Sequence, residues 1–374
     1  MHLRQHTQGY KCGSAVFIHW FHRYGRKGKM TRRERILSAI AHREADRVPV
    51  GFDIFEPLRS RVLAYYGVEE LWQLHDKIGI DAFSVWDWPS AQPRYVGPMR
   101  EGVASYDASA AYGCWGKVGE KVYPLAGRNL DEYRWPSVDD FDFGHLRQDL
   151  QHIRDKDMTT ASGHAGVGWL HHVQMRSYDH VFYDILDDAW MEEYIERNRT
   201  FFLAYFTKLF ESAGGLIDII RADEDLGGQG SMLLSPELWR RWYKPLWQDV
   251  FAICKKNGAR IWLHSCGYCR PLIEDFIEIG VDILNPLPPY VKGSEPGEMK
   301  ACYGSRLAFD GGVDQMNILS QGTPEQVAAE TRFRLQQLMP GGGCIIGPSQ
   351  VLTGDVPLEN VIAFFDTVSA FGRY

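Results

Sequence analysis

The chain has no uninterrupted apolar run of about eighteen residues, the length a helix needs to cross a bilayer, so a membrane-spanning class is not expected. No Gly-x-Gly-x-x-Gly lies between a strand pattern and a helix pattern, and no phosphate loop ends in Gly-Lys-Ser/Thr. That removes the common dinucleotide and nucleotide folds. No secretory signal precedes the seven cysteines. An odd count without such a signal argues against a disulfide framework and for a reducing, cytoplasmic setting. Positive charge is not in excess: 41 basic against 48 acidic side chains give a net −7, a balance unsuited to general nucleic-acid binding.

Acidic residues are missing altogether from residues 1–29, which hold six basic side chains and four of the 13 histidines (His2, His6, His19, His22). The expectation is an upstream extension outside the fold, with translation beginning at Met30 and the histidines solvated. A targeting peptide is the other reading, although no apolar signal-peptide core is present.

What is present from Met30 onward is an alternation of helix and strand signals. Thr31-Arg-Arg-Glu34 reads as an N-cap with its acidic partner, and Ile36, Leu37 and Ile40 mark one helical face. Asp46–Val50 reads as a first strand, leading to Phe52-Asp53, and Asp81–Val85 as a second. Residues 57–78, 143–155 and 178–213 read as mostly helical, and 98–124 as an irregular insertion. Further strands are expected at 216–222, 260–263, 281–284, 307–309 and 344–347. Helices lie between them, one opening at Ser235-Pro236-Glu237 and running to about Lys256. Such spacing means parallel βαβ units. It allows a closed (β/α)8 TIM barrel or an open doubly wound sheet; polar residues at the ends of many strands favour the barrel.

One cluster carries most of the chemistry. His264 and Cys266 are two residues apart at a strand end, which puts them on one face with Cα atoms ~6.6 Å apart. Imidazole and thiolate so placed are zinc ligands. The competing reading is a histidine hydrogen-bonded in the barrel mouth and a small core cysteine. A catalytic zinc needs a third protein donor. Cys269 sits at the start of the next helix, and Cys344 begins its strand, which places it near the opposite rim from Ser349-Gln350. The acidic trio Asp223-Glu224-Asp225 ends the preceding strand, ~4.8 Å away, so a carboxylate is the better candidate; its alternative is a solvated loop before Gly227-Gly228. Trp86 and Trp88 flank Asp87 as an aromatic wall or as core. His164 lies in a glycine-flanked loop that contacts a ligand or simply turns. His171 and His172 read as structural. Asp53 lines a site or caps a helix. Asn285, extended before Pro286, brings its amide to the mouth.

Met30–Ile40, Asp46-Arg-Val-Pro-Val50, Leu263-His-Ser-Cys-Gly267, Glu278–Pro286, Gly311-Gly-Val-Asp314 and Val356-Pro-Leu-Glu-Asn360 together resemble the uroporphyrinogen decarboxylase-like superfamily, over about residues 30–372. The resemblance implies a single (β/α)8 barrel domain over 30–374. It offers two activities: cofactor-free decarboxylation of a tetrapyrrole, or zinc-dependent methyl transfer with a corrinoid protein. The decarboxylases carry Arg-Gln-Ala-Gly-Arg after the first strand, where this chain reads Gly51-Phe-Asp-Ile-Phe-Glu-Pro-Leu-Arg-Ser60. A polyanionic substrate needs such arginines. The decarboxylase histidine, and also the distal cysteine of the methyltransferases, fall at or near Gln350. The acidic residue after the second strand is matched by Asp87, and the His-x-Cys zinc pair by His264 and Cys266. The expected function is therefore zinc-dependent transfer of a methyl group between a small methylated substrate or thiol and a corrinoid protein. His264, Cys266 and Glu224 are assigned to the metal, and Asp225 and Asp87 to orienting or protonating the reacting group. Asp53, Trp86, His164, Asn285 and Gln350 are assigned to substrate. The rivals are a decarboxylase acting on a smaller substrate and a non-catalytic barrel that binds a corrinoid or porphyrin.

Overall fold

Thr31 opens helix α1 (Arg32–Ile40) with a reciprocal cap. Its Oγ1 accepts the Glu34 amide at 3.1 Å, and the Glu34 carboxylate accepts the Thr31 amide at 2.8 Å, which satisfies two helix-end donors. Ile36 and Ile40 on this helix are buried with Ala161, Ile219, Trp262, Ile283, Ala308 and Ile345. Each of the last six belongs to a different strand of one sheet, so the cluster is the inside of a barrel plugged at its N-terminal end by α1. The computed structural model describes residues 30–81, 91–98, 123–163 and 166–374.

A two-residue antiparallel ladder joins β1 (Arg94–Tyr95) to β2 (Phe141–Asp142). The main sheet is parallel: β3 (Ala161–Ser162), β4 (Ile219–Asp223), β5 (Arg260–His264), β6 (Ile283–Asn285), β7 (Ala308–Val313) and β8 (Cys344–Pro348), neighbours in chain order. Beyond β8, the expected first strand is reduced to parallel bridges of Val50 with Ile346 and Ile54 with Leu352. The Asp81 amide donates to the Val50 carbonyl at 2.9 Å, and the Ala91 amide to the Ala161 carbonyl at 3.0 Å. The expected second strand falls almost wholly on residues 82–90, and the insertion at 98–124 mostly on 99–122; both lie outside the described residues. The fold is a (β/α)8 TIM barrel, as the alternation of elements implied.

Parallel strands bury both faces, and the strands divide accordingly. Ile220, Ala222, Ile261, Leu263, Leu284, Phe309 and Ile346 face the helices in the larger core. The longest helix, Asp188–Ala213, packs Phe201, Phe202, Tyr205, Phe206, Leu209 and Phe210 into that layer. The helix expected from Ser235 to Lys256 is two helices, Pro236–Trp242 and Lys244–Lys256, meeting at Tyr243. Pro245 lacks an amide to donate, so the chain cannot run through unbroken. Among the described residues, no helix is long and apolar enough to cross a membrane, and all five cysteines are free thiols.

Candidate active site

Register builds the site. Arg221 of β4 is level with Trp262 of β5, Asp223 with His264, and His264 with Asn285 of β6. Alternation along β4 turns Arg221 and Asp223 to the same side, where the guanidinium Nε donates to Asp223 Oδ1 at 3.1 Å. The next residue on that side is Asp225, beside the next residue on the His264 side, Cys266.

These three side chains converge. His264 Nε2 lies 3.0 Å from Cys266 Sγ and 3.5 Å from Asp225 Oδ1, and the Cys266 amide donates to Asp225 Oδ1 at 2.9 Å. One donor atom from each lies within 4.8 Å of the others. His264 Nδ1 donates to Asn285 Oδ1 at 2.7 Å, which leaves Nε2 turned to the group. Burial alone would lower the His264 pKa; the bond to Cys266 and the charges of Asp225 and Asp223 outweigh it and push it up to about 10. Gln350, from the loop after β8, donates Nε2–H to Cys266 Sγ at 3.0 Å.

Two glycines let the β4 and β5 loops touch. The Gly227 amide donates to the Cys266 carbonyl at 3.2 Å, and the Tyr268 amide to Gly228 at 2.8 Å. Gly267 has φ +76°, and a Cβ there would collide with the Gly227 carbonyl. The loops bearing Asp225 and Cys266 are therefore locked by backbone contact.

The assignment of Glu224 to the metal is corrected. Its carboxylate is fully buried on the other side of β4 and accepts the Trp169 amide at 2.8 Å, the Leu170 amide at 3.1 Å and the Trp239 indole at 3.0 Å. Burial outweighs these donors and raises its pKa to about 7. It caps the helix Trp169–Arg176, while Asp225, assigned to proton handling, is the carboxylate beside His264 and Cys266. Cys344 is buried at the start of β8, paired with Phe309. Burial pushes both its thiol and that of Cys269 up to about 12, and neither joins the group. His171 and His172 are buried in the helix Trp169–Arg176, as structural residues should be. His172 bonds the Tyr243 hydroxyl at 2.8 Å and faces Asp184, which also receives Arg176 at 2.6 Å.

A cavity of about 200 Å³ opens beside the group, lined by Phe52, Asp53, Gln174, Arg221, Asp223, Asp225, Trp262, His264, Asn285, Asp310 and Gln350 among others. Asp53, Asn285 and Gln350, assigned to substrate, are among the residues lining this mouth. Trp86, Asp87, Trp88 and His164 lie outside the described residues. Arg221, Trp262 and Asp310 were missed, although period-two alternation puts Trp262 on the His264 side and Arg221 on the Asp223 side. The Trp262 indole donates to Asp310 at 2.8 Å. Burial, helped by the nearby Asp53 charge and opposed by that indole, raises the Asp310 pKa to about 7.

A parallel barrel with polar residues gathered at its C-terminal mouth is the architecture of a large class of α/β proteins. Within that class, the family model for uroporphyrinogen decarboxylase (URO-D) matches residues 123–371, and the chain belongs to that family. No curated protein sequence matches. A methyltransferase from Methanosarcina mazei shares the fold, with a TM-score of 0.65 at 18% identity over 92% of this chain and 99% of that one. Xylanase 10B from Thermotoga maritima is more distant, with a TM-score of 0.40 at 13% identity over 63% and 82%.

Proposed function

We propose that this URO-D family member is a zinc-dependent methyltransferase, moving a methyl group between a small methylated substrate or thiol and a corrinoid protein. The observation that carries the reading is the convergence of His264, Cys266 and Asp225 beside the mouth cavity. One imidazole, one sulfur and one carboxylate form a donor set suited to zinc, and three protein donors leave a position for a ligand. The Asn285 bond that orients His264 is the usual support for a metal-binding histidine. Zinc held there would lower the pKa of a bound thiol or polarise a bound ether oxygen.

The remaining residues have separable tasks. His264 must give up its proton to serve as a donor, and Asn285 fixes which nitrogen does so. Asp310 lines the same cavity and holds or releases a proton near neutral pH at its carboxyl oxygen. Arg221 is engaged by Asp223 and lies over the Trp262 ring, 5.7 Å from its centroid.

The decarboxylase reading is weaker on charge. Among the described residues the cavity carries Asp53, Asp223, Asp225 and Asp310 against Arg221 and His264, so a polycarboxylate would meet more charge of its own sign than of the opposite one. The test is spectroscopic. Zinc-loaded protein is mixed with methylcobalamin, standing in for the corrinoid partner, and a panel of thiols, and loss of the methyl–cobalt absorption is followed. Turnover that disappears in Cys266→Ala supports the proposal. No turnover with any thiol, together with coproporphyrinogen formed from uroporphyrinogen III at ~1 s⁻¹ or faster, would replace it with the decarboxylase.

A further inference from the structure

The metal reading uses three side chains and leaves Gln350 unexplained. We propose that Gln350 is a positioning residue of this centre: its carboxamide fixes the Cys266 sulfur while keeping the protein's contribution to three donors, so that the fourth place is left to an external ligand. The inference rests on the metal reading above and assigns a residue to it.

Geometry supports the assignment. Gln350 follows β8, three strands along the sheet from β5, and reaches the mouth to place Nε2 3.0 Å from Cys266 Sγ. The backbone on both sides of it is tied down. The Ser349 amide donates to the Val313 carbonyl at 2.7 Å, Ser349 Oγ accepts the Gln315 amide at 3.1 Å, and the Leu352 amide donates to Asp53 at 2.8 Å. Ser349 and Leu352 are fully buried. The side chain is thus delivered from an ordered base, and little freedom is lost in making its one contact.

Chemistry explains why an amide suits that place. A carboxamide brings two N–H donors and a neutral oxygen. Its N–H can hold a sulfur that carries negative charge, whereas the neutral group competes poorly with thiolate, imidazole or carboxylate for zinc. A cysteine or histidine delivered there would add a fourth strong donor, and four protein donors close a zinc site. Hydrogen bonds to a ligand sulfur and the groups that orient ligands tune both affinity and reactivity.

The test reads the metal, not turnover. Wild type, Gln350→Cys and Gln350→Leu are titrated with cobalt(II) and with zinc against a chromophoric chelator, with thermal melts confirming that each is folded. Wild type should show the sulfur-to-cobalt band of one thiolate and gain intensity when a small thiol is added. Gln350→Cys should show the two-thiolate intensity without added thiol, bind zinc at least tenfold more tightly, and no longer respond to thiol. Gln350→Leu should bind about tenfold more weakly, within the range for loss of a supporting contact. A folded Gln350→Cys with an unchanged band and affinity, or a Gln350→Leu that binds as wild type does, overturns the proposal. If wild type takes up neither metal, the metal reading itself fails. The Gln350–Cys266 contact is then read from the alkylation rate of Cys266, followed by peptide mass spectrometry on metal-free protein. A rate in Gln350→Leu at least threefold different from wild type retains the contact, and equal rates remove it.

Discussion

Neighbouring carboxylates in the loop that follows β4, Glu224 and Asp225, separate metal binding from folding, because one faces the helix layer and the other the mouth. Asp225→Asn keeps an acceptor for the Cys266 amide but exchanges a charged donor for a neutral one. Structural zinc sites with four donors have apparent binding energies of ~10–16 kcal/mol, or about 3 kcal/mol per donor. Most of one share is lost here, which means 30–100-fold weaker zinc at about 1.4 kcal/mol per tenfold. Glu224→Gln puts an NH2 group where an oxygen accepts from Trp169 and Trp239 or from Leu170. Hydrogen bonds to a charged group contribute about 1.5–3 kcal/mol each, offset in part because the amide carries no buried charge. A net loss of about 2 kcal/mol lowers Tm by roughly 3 °C in a domain of this size. Zinc affinity by chelator competition and melts of both variants form the assay. Expected is a 30–100-fold affinity loss in Asp225→Asn with little change in Tm, and less than threefold in Glu224→Gln with a lower Tm. The reverse pattern would show that the alternation argument has the wrong face of β4.

Three further outcomes follow from other parts of the molecule. Gly267→Ala should reduce zinc binding more than tenfold in a folded protein, because the added Cβ meets the Gly227 carbonyl; unchanged binding would mean the two loops are not locked. His75 is 2% exposed and held down to about pKa 4 by burial. The unfolded chain takes up that proton near pH 6.5 and the fold only near 4, so stability should fall by about 3 kcal/mol as pH drops from 7 to 4. His75→Phe should flatten the denaturation midpoint across that window, and identical pH profiles would refute the assignment. Removal of residues 1–29, proposed from composition to lie outside the fold, should shift Tm by less than ~10 °C, the equivalent of about 7 kcal/mol in a domain of this size.

Much of the fold was legible because its signals are local. The Thr31–Glu34 cap, the strand starts at Arg260 and Cys344 and the stop at Gly280 each depend on a few adjacent residues. The first strand was less so: its pairing is two isolated bridges to the β8 side, fixed by partners some 300 residues away. At the site, the alternation that put His264 beside Cys266 applies equally to 223–225, and extending it selects Asp225 over Glu224. Register supplied that step, since Asp223 pairs with His264. The contact of Gln350 with Cys266 was not readable from either strand alone, because it depends on how far the barrel closes. Asp310 directly follows the strand expected at 307–309, before Gly311-Gly312, and nothing adjacent marks it; only burial on the Trp262 side shows it as a titrating group.

The plug formed by Ile36 and Ile40 has a kinetic consequence. With the strand starts filled by apolar side chains, the way in to His264 and Cys266 among the described residues is through the mouth. On the methyltransferase reading proposed above, a donor and an acceptor would share that entrance and a chamber of about 200 Å³, too small for two bulky guests side by side. Traffic on that reading would be a matter of turn-taking, in which the first visitor's residue must be left behind or withdrawn before the second is admitted.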